Sequence, residues 1–273
     1  NSMNLKQKIN SLFIACFLVV LSAATALAAA PDVSADAAIV IDRNSGAVLY
    51  EKNPDKREYP ASMTKMMTCI LALENSKPDR IVEVSANAAD VECTRLYPGY
   101  QLRMADILKQ MMLISDNGCA TAIGESLAEG DINYFAELMN RKAQDLGMTN
   151  SHFVNANGMP DYNHYSTARD IAKLANYAFN NQEFRKIVGT NTCNVYYIVP
   201  AGHSEYCENT NELLTTYAGC IGGKTGWTSA ARGCLTVAAD RDGRELIAVV
   251  MHSYDDETRF SEAAALLDYG FAQ

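Results

Sequence analysis

The fold is decided by YPASMTKMMTCILALE, residues 59–74, which predicts a largely buried helix. Pro60 is suited to open that helix, because its fixed backbone angle matches the first helical turn. Apolar residues then recur at helical spacing through the segment. Ser62 and Lys65 are three positions apart, so the segment predicts that both side chains lie on one face of the helix.

Ser62 and Lys65 are residue types that can act as a nucleophile and its base. Ser62 would lie in the first turn, where free backbone N–H groups favour negative charge. Lys65 would lie inside the helix among methionines, and burial disfavours an ammonium group, so its pKa should fall. A neutral amine beside a serine hydroxyl is a competent general base. An ordinary helix start with an exposed lysine has the same pattern, so this motif needs support from others.

Two further motifs supply that support. Ser115-Asp116-Asn117 lies between two predicted helices, where it can present a hydroxyl and an amide to a cleft. Its alternative interpretation is a helix N-cap, which the same residue types favour. Lys224-Thr225-Gly226 lies on a predicted strand and offers a charge, a hydroxyl and a glycine that lets a ligand approach the backbone. Its alternative is an ordinary strand end with a turn glycine.

The order of the predicted elements indicates the fold class. Strands are predicted at 37–42 and 47–51, around a turn at Asn44-Ser45-Gly46, and again at 195–199, 219–225, 234–239 and 246–252. Helices are predicted at 105–114, 118–127, 132–146, 167–179 and 257–269. Strands from both ends of the chain with helices between them predict one antiparallel sheet and an inserted helical subdomain, an α/β (α+β) architecture.

The N-terminus has the pattern of a secretory signal peptide. Lys6 and Lys8 precede an apolar stretch at 12–21, and Ala26-Leu27-Ala28 fits an A-x-A cleavage site. The apolar stretch is short for a membrane span. Asn1-Ser2 precede the first methionine and are interpreted as a cloning remnant. We therefore expect a leader at 1–28, a single catalytic domain at 29–273, and export to the periplasm or the outer face of the cell envelope.

Charge, cysteines and histidines limit the possible partners and cofactors. The net charge is −9 and no basic cluster is present, which argues against nucleic acid. The four histidines are scattered, so we expect no metal and no other cofactor. Seven cysteines lie beyond the leader: Cys69, Cys93, Cys119, Cys193, Cys207, Cys220 and Cys234. Cys193 with Cys207, and Cys220 with Cys234, flank predicted hairpins; disulfides and buried thiols both remain open.

The three motifs S-x-x-K, S-D-N and K-T-G together form the signature of class A β-lactamases and penicillin-binding proteins. From about residue 37 to 271, the sequence most resembles the low-molecular-weight D-alanyl-D-alanine carboxypeptidases, serine peptidase family S11. Besides the three motifs, the resemblance rests on 59–65, 151–155 with Gly158, 165–170, 209–211, 223–226 and 266–271. It implies a β-lactamase/transpeptidase-like fold.

The resemblance also implies roles for individual residues. Ser62 would attack the carbonyl between two D-alanines, Lys65 would take its proton, and Ser115 would relay a proton to the leaving amine. The implied substrate-binding residues are Asn117, Lys224, Thr225, Gly226, Trp227 and Arg259. Among these, Thr225 and Arg259 would bind the terminal carboxylate, since arginine reads carboxylates in a bidentate way. The backbone N–H groups of Ser62 and Trp227 would form an oxyanion hole.

The implied partners are a peptidoglycan stem peptide ending in D-Ala-D-Ala and, as covalent inhibitors, β-lactam antibiotics. Membrane attachment stays open, because the sequence stops at Gln273, just past the region of resemblance. One alternative is a serine β-lactamase, but class A enzymes need a loop glutamate, and 155–165 offers only Asp161. The other alternative is a non-catalytic envelope protein that binds glycan or a partner on the same fold.

Overall fold

A computed structural model of the protein describes residues 28–273. The predicted leader therefore lies outside the described residues, apart from Ala28. Within the described part, every helix is too short or too polar to cross a membrane.

The strands are β1 Ala37–Asp42, β2 Val48–Lys52, β3 Ile81–Glu83, β4 Gln101–Arg103, β5 Thr192–Tyr196, β6 Ser204–Glu208, β7 Cys220–Thr228, β8 Arg232–Arg241 and β9 Arg244–Ser253. The helices are α1 Lys65–Asn75, α2 Ala86–Ala89, α3 Met104–Ile114, α4 Asn117–Leu127, α5 Ile132–Asp145, α6 Ala168–Ala178, α7 Gln182–Val188, α8 Leu213–Thr216 and α9 Thr258–Phe271. A 3-10 turn, Ala61–Thr64, leads directly into α1.

The central sheet has the strand order β2-β1-β9-β8-β7, and every neighbouring pair is antiparallel. Both ends of the chain contribute to it, and α1 to α8 are inserted between β2 and β7. This arrangement confirms the predicted antiparallel sheet with an inserted helical subdomain.

Both faces of the sheet are covered, which explains the continuous apolar stretch at 246–251. In β9, Ile247 and Val249 face the core shared with the helical subdomain, whereas Leu246 and Ala248 face α9. Successive strand residues point to opposite faces, so a strand buried on both sides needs apolar residues at every position. The sheet is therefore a middle layer, with α9 on one side and the helical subdomain on the other.

The hairpin of β5 and β6 differs from the prediction. The sequence predicted a strand at 195–199, whereas β5 is Thr192–Tyr196. Only one face of this hairpin is covered, so exposed residues such as Asn194 alternate with buried ones such as Val195. A search for continuous apolar stretches misses such a strand, because half of its residues are polar.

The strand register decides which predicted cysteine pairs can meet. Cys193 lies directly opposite Cys207 in the β5–β6 hairpin. In contrast, Cys220 pairs with Ala239 and Cys234 pairs with Gly226, so these two cysteines lie far apart along β7 and β8. The register therefore excludes a Cys220–Cys234 bridge, and all seven cysteines of the described part are free thiols.

We expect packing between α9 and the sheet to be a major contribution to stability. Leu266 is fully buried against β9, so Leu266→Ala should lower the free energy of unfolding by about 2–5 kcal/mol through lost apolar burial and a cavity. Ser261→Ala, on the exposed side of the same helix, should change it by less than about 0.5 kcal/mol. Urea unfolding measures both; equal losses would contradict the assigned packing.

Candidate active site

The predicted pair Ser62 and Lys65 is in direct contact. Ser62 lies in the 3-10 turn and Lys65 begins α1, which places the Lys65 Nζ atom 2.6 Å from the Ser62 Oγ atom. Lys65 is completely buried, whereas Ser62 is partly exposed. The turn thus presents the hydroxyl to solvent and keeps the amine beneath it.

Two oxygen atoms complete the surroundings of the Lys65 amine. The Oδ1 atom of Asn117 lies 2.7 Å from Nζ, and the backbone carbonyl oxygen of Asn157 lies 2.8 Å from it. Both oxygens can only accept hydrogen bonds. A neutral amine has two N–H bonds and one lone pair. When these two oxygens take both N–H bonds, the lone pair is left for the Ser62 hydroxyl.

Burial lowers the pKa of Lys65 to about 7, and the negative charge of Asp116 opposes part of that shift. The cause is the loss of hydration of the ammonium form, as the sequence predicted from the methionines around it. A substantial fraction of Lys65 is therefore neutral near pH 7.

Ser115 and Lys224 form a second contact across the site. Ser115 ends α3 in the left-handed region, with φ 61°. The Lys224 Nζ atom, on β7, donates to the Ser115 Oγ atom at 3.1 Å and to the Thr225 carbonyl at 2.8 Å. Burial lowers the pKa of Lys224, and the nearby charges of Lys65 and Arg259 lower it further.

Asp116, in the Ser115-Asp116-Asn117 motif, connects the chain segments around it by hydrogen bonds. The sequence predicted this role only in part. It caps α4 by accepting from the Cys119 backbone N–H at 3.0 Å, as the N-cap interpretation expects. It also accepts from the Gln110 side chain at 3.0 Å and from the segment 94–95. The carboxylate therefore joins α3, α4 and a distant loop at one point.

The loop at 155–159 is part of the site, although sequence reasoning assigned no chemistry to it. Gly158 has φ +93°, and a Cβ atom there would lie 1.9 Å from the Ala61 carbonyl oxygen. The loop backbone therefore lies against the turn that carries Ser62, and this contact brings the Asn157 carbonyl to Lys65. The only sequence signal was the glycine itself, because a backbone carbonyl is common to all residue types.

Strand β7 closes the other side of the site. A Cβ atom on Gly226 would lie 3.1 Å from the Ser62 backbone nitrogen, so the strand passes directly beside Ser62. The Thr225 hydroxyl lies 2.6 Å from the hydroxyl of Thr210. The Thr210 backbone N–H donates to the Leu113 carbonyl, which ties this edge of β7 to α3.

Trp227, on β7, and Arg259, on α9, differ in exposure. The Trp227 side chain is 42% exposed at the rim, and the Arg232 guanidinium lies 5.7 Å from its ring centre. Arg259 is only 9% exposed, so it is not a solvated helix residue. Its Nη1 atom donates to the Gly226 carbonyl at 2.9 Å, while its buried Nε atom has no hydrogen-bond partner in the described structure.

A cleft of about 430 Å³ opens at Ser62. Its walls are residues 92–93, 157–160 and 227–230, and Asn117 contributes to its floor. Ser62, Lys65, Ser115, Asn117 and Lys224 thus meet at one place, beside Gly226, although they come from widely separated parts of the chain.

Comparison with known proteins shows the family of the chain. The family of D-alanyl-D-alanine carboxypeptidases matches residues 24–255. The chain belongs to this family. The predicted resemblance is confirmed by this match and by curated relatives that bear the same name.

Two relatives illustrate the extent of the similarity. D-alanyl-D-alanine carboxypeptidase DacF of Bacillus subtilis is 33% identical over 88% of this chain and 62% of its own length. The D-alanyl-D-alanine carboxypeptidase of a Streptomyces species is 31% identical over 89% of each chain. The chain therefore spans less than two thirds of the Bacillus relative but most of the Streptomyces one.

The solved structures agree on the fold. The crystal structure of a Streptomyces DD-transpeptidase has a TM-score of 0.86 and 30% identity, and the match covers 90% of this chain and 100% of that chain. A putative penicillin-binding protein homologue from Mycobacterium tuberculosis has a TM-score of 0.84 and 30% identity, covering 90% and 94% of the two chains. The predicted β-lactamase/transpeptidase-like fold is confirmed.

We expect Gly158→Ala to slow the acylation of Ser62, because the new side chain would clash with the backbone. The new Cβ atom would displace the Ala61 carbonyl and the turn behind it, and a misplacement of about 1 Å can lower a rate by about 100-fold. The rate of acylation by a penicillin measures this loss.

Gly130→Ala is the matched control. Gly130 also has a positive φ, +83°, but open space surrounds its Cβ position. It should carry a similar backbone strain of about 1 kcal/mol without a slower acylation. Equal effects of the two substitutions would show that strain alone, and not the contact with Ala61, explains the loss.

Proposed function

We propose that this protein is a serine-type D-Ala-D-Ala carboxypeptidase that removes the terminal D-alanine from peptidoglycan stem peptides through an acyl-enzyme. The observation that carries the proposal is the surroundings of the Lys65 amine. Two fixed acceptors, Asn117 Oδ1 and the Asn157 carbonyl, aim its lone pair at the Ser62 hydroxyl, 2.6 Å away. Family membership supports the same activity.

Acylation begins with transfer of the Ser62 proton to Lys65. The Ser62 oxygen attacks the carbonyl carbon of the scissile bond, and a tetrahedral intermediate forms. Lys65 becomes an ammonium group, and all three of its N–H bonds then have oxygen partners. A base whose pKa lies near the working pH performs both halves of such a proton exchange efficiently.

Collapse of the intermediate expels D-alanine, whose amine must gain a proton. Ser115 is suited to relay the proton that Lys65 took from Ser62: it gives its hydroxyl hydrogen to the amine and receives that proton in its place, which returns Lys65 to the neutral amine. Lys224 donates to the Ser115 oxygen and leaves the hydroxyl hydrogen free to point into the site. In this proposal, Lys224 also supplies positive potential. Water then hydrolyses the acyl-enzyme and regenerates Ser62.

The negative charges of the substrate need their own partners. The developing oxyanion would bind the backbone N–H groups of Ser62 and Trp227, an arrangement supported by the close approach of β7 at Gly226. The terminal carboxylate would bind Thr225 and Arg259. Arg259 is held against the same strand by its bond to the Gly226 carbonyl, which supports this assignment.

The proposed partners are stem peptides ending in D-Ala-D-Ala and, as inhibitors, β-lactams, which resemble an acyl donor. The proposed location is outside the cytoplasmic membrane, in the periplasm or at the outer face of the envelope. This location rests on the leader pattern at 1–28, with residues 29–273 as one catalytic domain.

The β-lactamase alternative receives less support from the loop that follows Asn157. Asp161 is exposed and accepts a hydrogen bond from the Asn163 backbone N–H at 2.8 Å, in a local turn. It lies outside the lining of the cleft. A carboxylate in this position is poorly suited to activate a deacylating water, so we expect slow release of penicillin.

The pKa of Lys65 predicts the pH dependence of acylation. Only the neutral amine accepts the Ser62 proton, so the second-order rate of acylation by a penicillin should rise about tenfold per pH unit below pH 7 and level off above it. Lys65→Ala should lower the rate by about 10²- to 10⁴-fold and remove this dependence. A flat profile in the unsubstituted protein would refute Lys65 as the base.

The activity itself is tested by measuring free D-alanine released from a peptide ending in D-Ala-D-Ala. We expect turnover by the unsubstituted protein and none by Ser62→Ala. Mass spectrometry after incubation with penicillin should find the intact drug attached to Ser62. Rapid catalytic hydrolysis of penicillin would favour the β-lactamase, and no adduct with no D-alanine would favour the non-catalytic binding protein.

A further inference from the structure

Cys193 and Cys207 occupy directly opposite positions in the β5–β6 hairpin. In an antiparallel pair of strands, the Cα atoms of opposite residues lie about 4.5–5.5 Å apart. Disulfides join cysteines whose Cα atoms lie about 4.4–6.8 Å apart, so the backbone spacing of this register suits a bridge. The structure shows the reduced form, in which both residues are free thiols.

Both thiols lie on the covered face of the hairpin. Residues that are directly opposite each other on antiparallel strands point to the same face of the sheet. Cys207 is buried in the core beside α3, and the half-buried Cys193 packs against the same core, whereas their neighbours Asn194 and Tyr206 are exposed. A bridge therefore needs rotation of two side chains and no change in strand register.

The Cys207 thiol is held only weakly where it lies. Its Sγ atom donates to the Glu205 carbonyl oxygen at 3.9 Å, and a thiol is a weak donor. The hairpin itself is joined by backbone pairing from Thr192 with Glu208 to Tyr196 with Ser204. Oxidation of the thiol would thus cost one weak contact and leave the pairing of the strands intact.

The chain turns from this hairpin directly toward the active site. The Asn209 backbone N–H, one residue after β6, donates to the Asn191 carbonyl at 2.7 Å and closes the hairpin. The hydroxyl of the next residue, Thr210, lies 2.6 Å from that of Thr225. A covalent link next to this closure would therefore restrict the segment that supports the edge of β7.

The two thiols differ in access and reactivity. Cys193 is half-buried, so an external reagent can reach it, whereas Cys207 is buried. Burial raises the pKa of Cys193, and the charge of Lys109 opposes part of that shift. Burial also raises the pKa of Cys207 to about 11, with a further contribution from the charge of Cys193. Because the thiolate is the attacking species, Cys193 is suited to react first and Cys207 second.

We propose that Cys193 and Cys207 form a cross-strand disulfide by exchange with an external disulfide after export. First, the Cys193 thiolate attacks one sulfur of the external disulfide, which forms a mixed disulfide and releases one external thiolate. The Cys207 thiolate then attacks the Cys193 sulfur and expels the second external thiolate. The two cysteine protons end on these two leaving groups, so the protein loses two electrons and the external disulfide gains them. The proposal rests on the proposed location and is independent of the carboxypeptidase activity.

A third thiol lies near this pair. Burial raises the pKa of Cys119, on α4, and the charges of Asp116 and Cys207 raise it further. Cys119 is fully buried, so it is poorly placed to meet an external disulfide. The strand register favours Cys193 as the partner of Cys207, and the identity of the linked pair is therefore the decisive observation.

A glutamate-specific protease tests the link directly, because Glu205 lies between the two cysteines. The purified protein is incubated with oxidised glutathione, its remaining thiols are alkylated, and it is then unfolded and cut without reduction. Cleavage after Glu183, Glu205 and Glu208 separates residues 184–205 from 206–208. Mass spectrometry should find these two peptides linked, and separate after reduction.

Three results of this digest would overturn the proposal. They are peptides that are already separate before reduction, Cys207 linked to Cys119, and glutathione that remains attached to Cys193. Each would show that the register of the hairpin does not lead to a bridge between its two cysteines.

The melting temperature measures the effect of the bridge on the fold. The link closes the segment 193–207, so the oxidised protein should melt about 5–10 °C above the reduced one. Amide exchange at the Thr210 N–H, which donates to the Leu113 carbonyl, should be slower in the oxidised form. Equal melting temperatures and equal exchange in the two forms would contradict a bridge at the base of the hairpin.

Cys193→Ser should abolish the difference in melting temperature between the two forms. Cys220→Ser is the matched control, because Cys220 is also a half-buried strand cysteine but lies opposite Ala239, and it should keep the difference. A difference that survives Cys193→Ser, or one that disappears with Cys220→Ser, would assign the stabilisation to another pair of thiols.

Discussion

The structure depends on the burial of one amine. Lys65 is completely enclosed, and its Nζ atom contacts oxygens from the 3-10 turn, from α4 and from the loop at 155–159. A buried amine without such partners would be costly, whereas two carbonyl-type acceptors satisfy its neutral form and orient its lone pair. The same burial that packs α1 into the core therefore also lowers the pKa of the Lys65 amine to about 7.

Close approach of backbone segments assembles the rest of the site. Two glycines lie where another chain segment leaves no room for a Cβ atom: Gly118 against the loop at 92–95 and Gly158 against Ala61. At a third, Gly226 beside Ser62, a Cβ atom would be in tight contact. Glycine permits these contacts since it has no side chain. Backbone N–H and C=O groups consequently lie near Ser62, with little freedom to move.

Much of this could be predicted from the sequence, since the side chains that carry the chemistry form recognisable motifs. The helix around Ser62, the antiparallel sheet and the motifs that contain Asn117 and Lys224 are examples. The Asn157 carbonyl and the loop at 92–95 were missed. Their contributions are mostly backbone groups, which are the same in every residue, so residue identity carries no signal for them.

By itself, the sequence determined which chemical groups are available and which face of its helix or strand each one occupies. Ser62 and Lys65 lie on one face of a helix, and alternate residues of β9 lie on the two faces of a sheet. Tertiary structure alone decided how far the pKa of Lys65 falls, the burial of Arg259 and the presence of Glu92 in the cleft. The physical reason is that hydration, enclosure and distance depend on segments far apart in the chain. Local patterns constrain a residue's own conformation, whereas its electrostatic surroundings depend on how the whole chain packs.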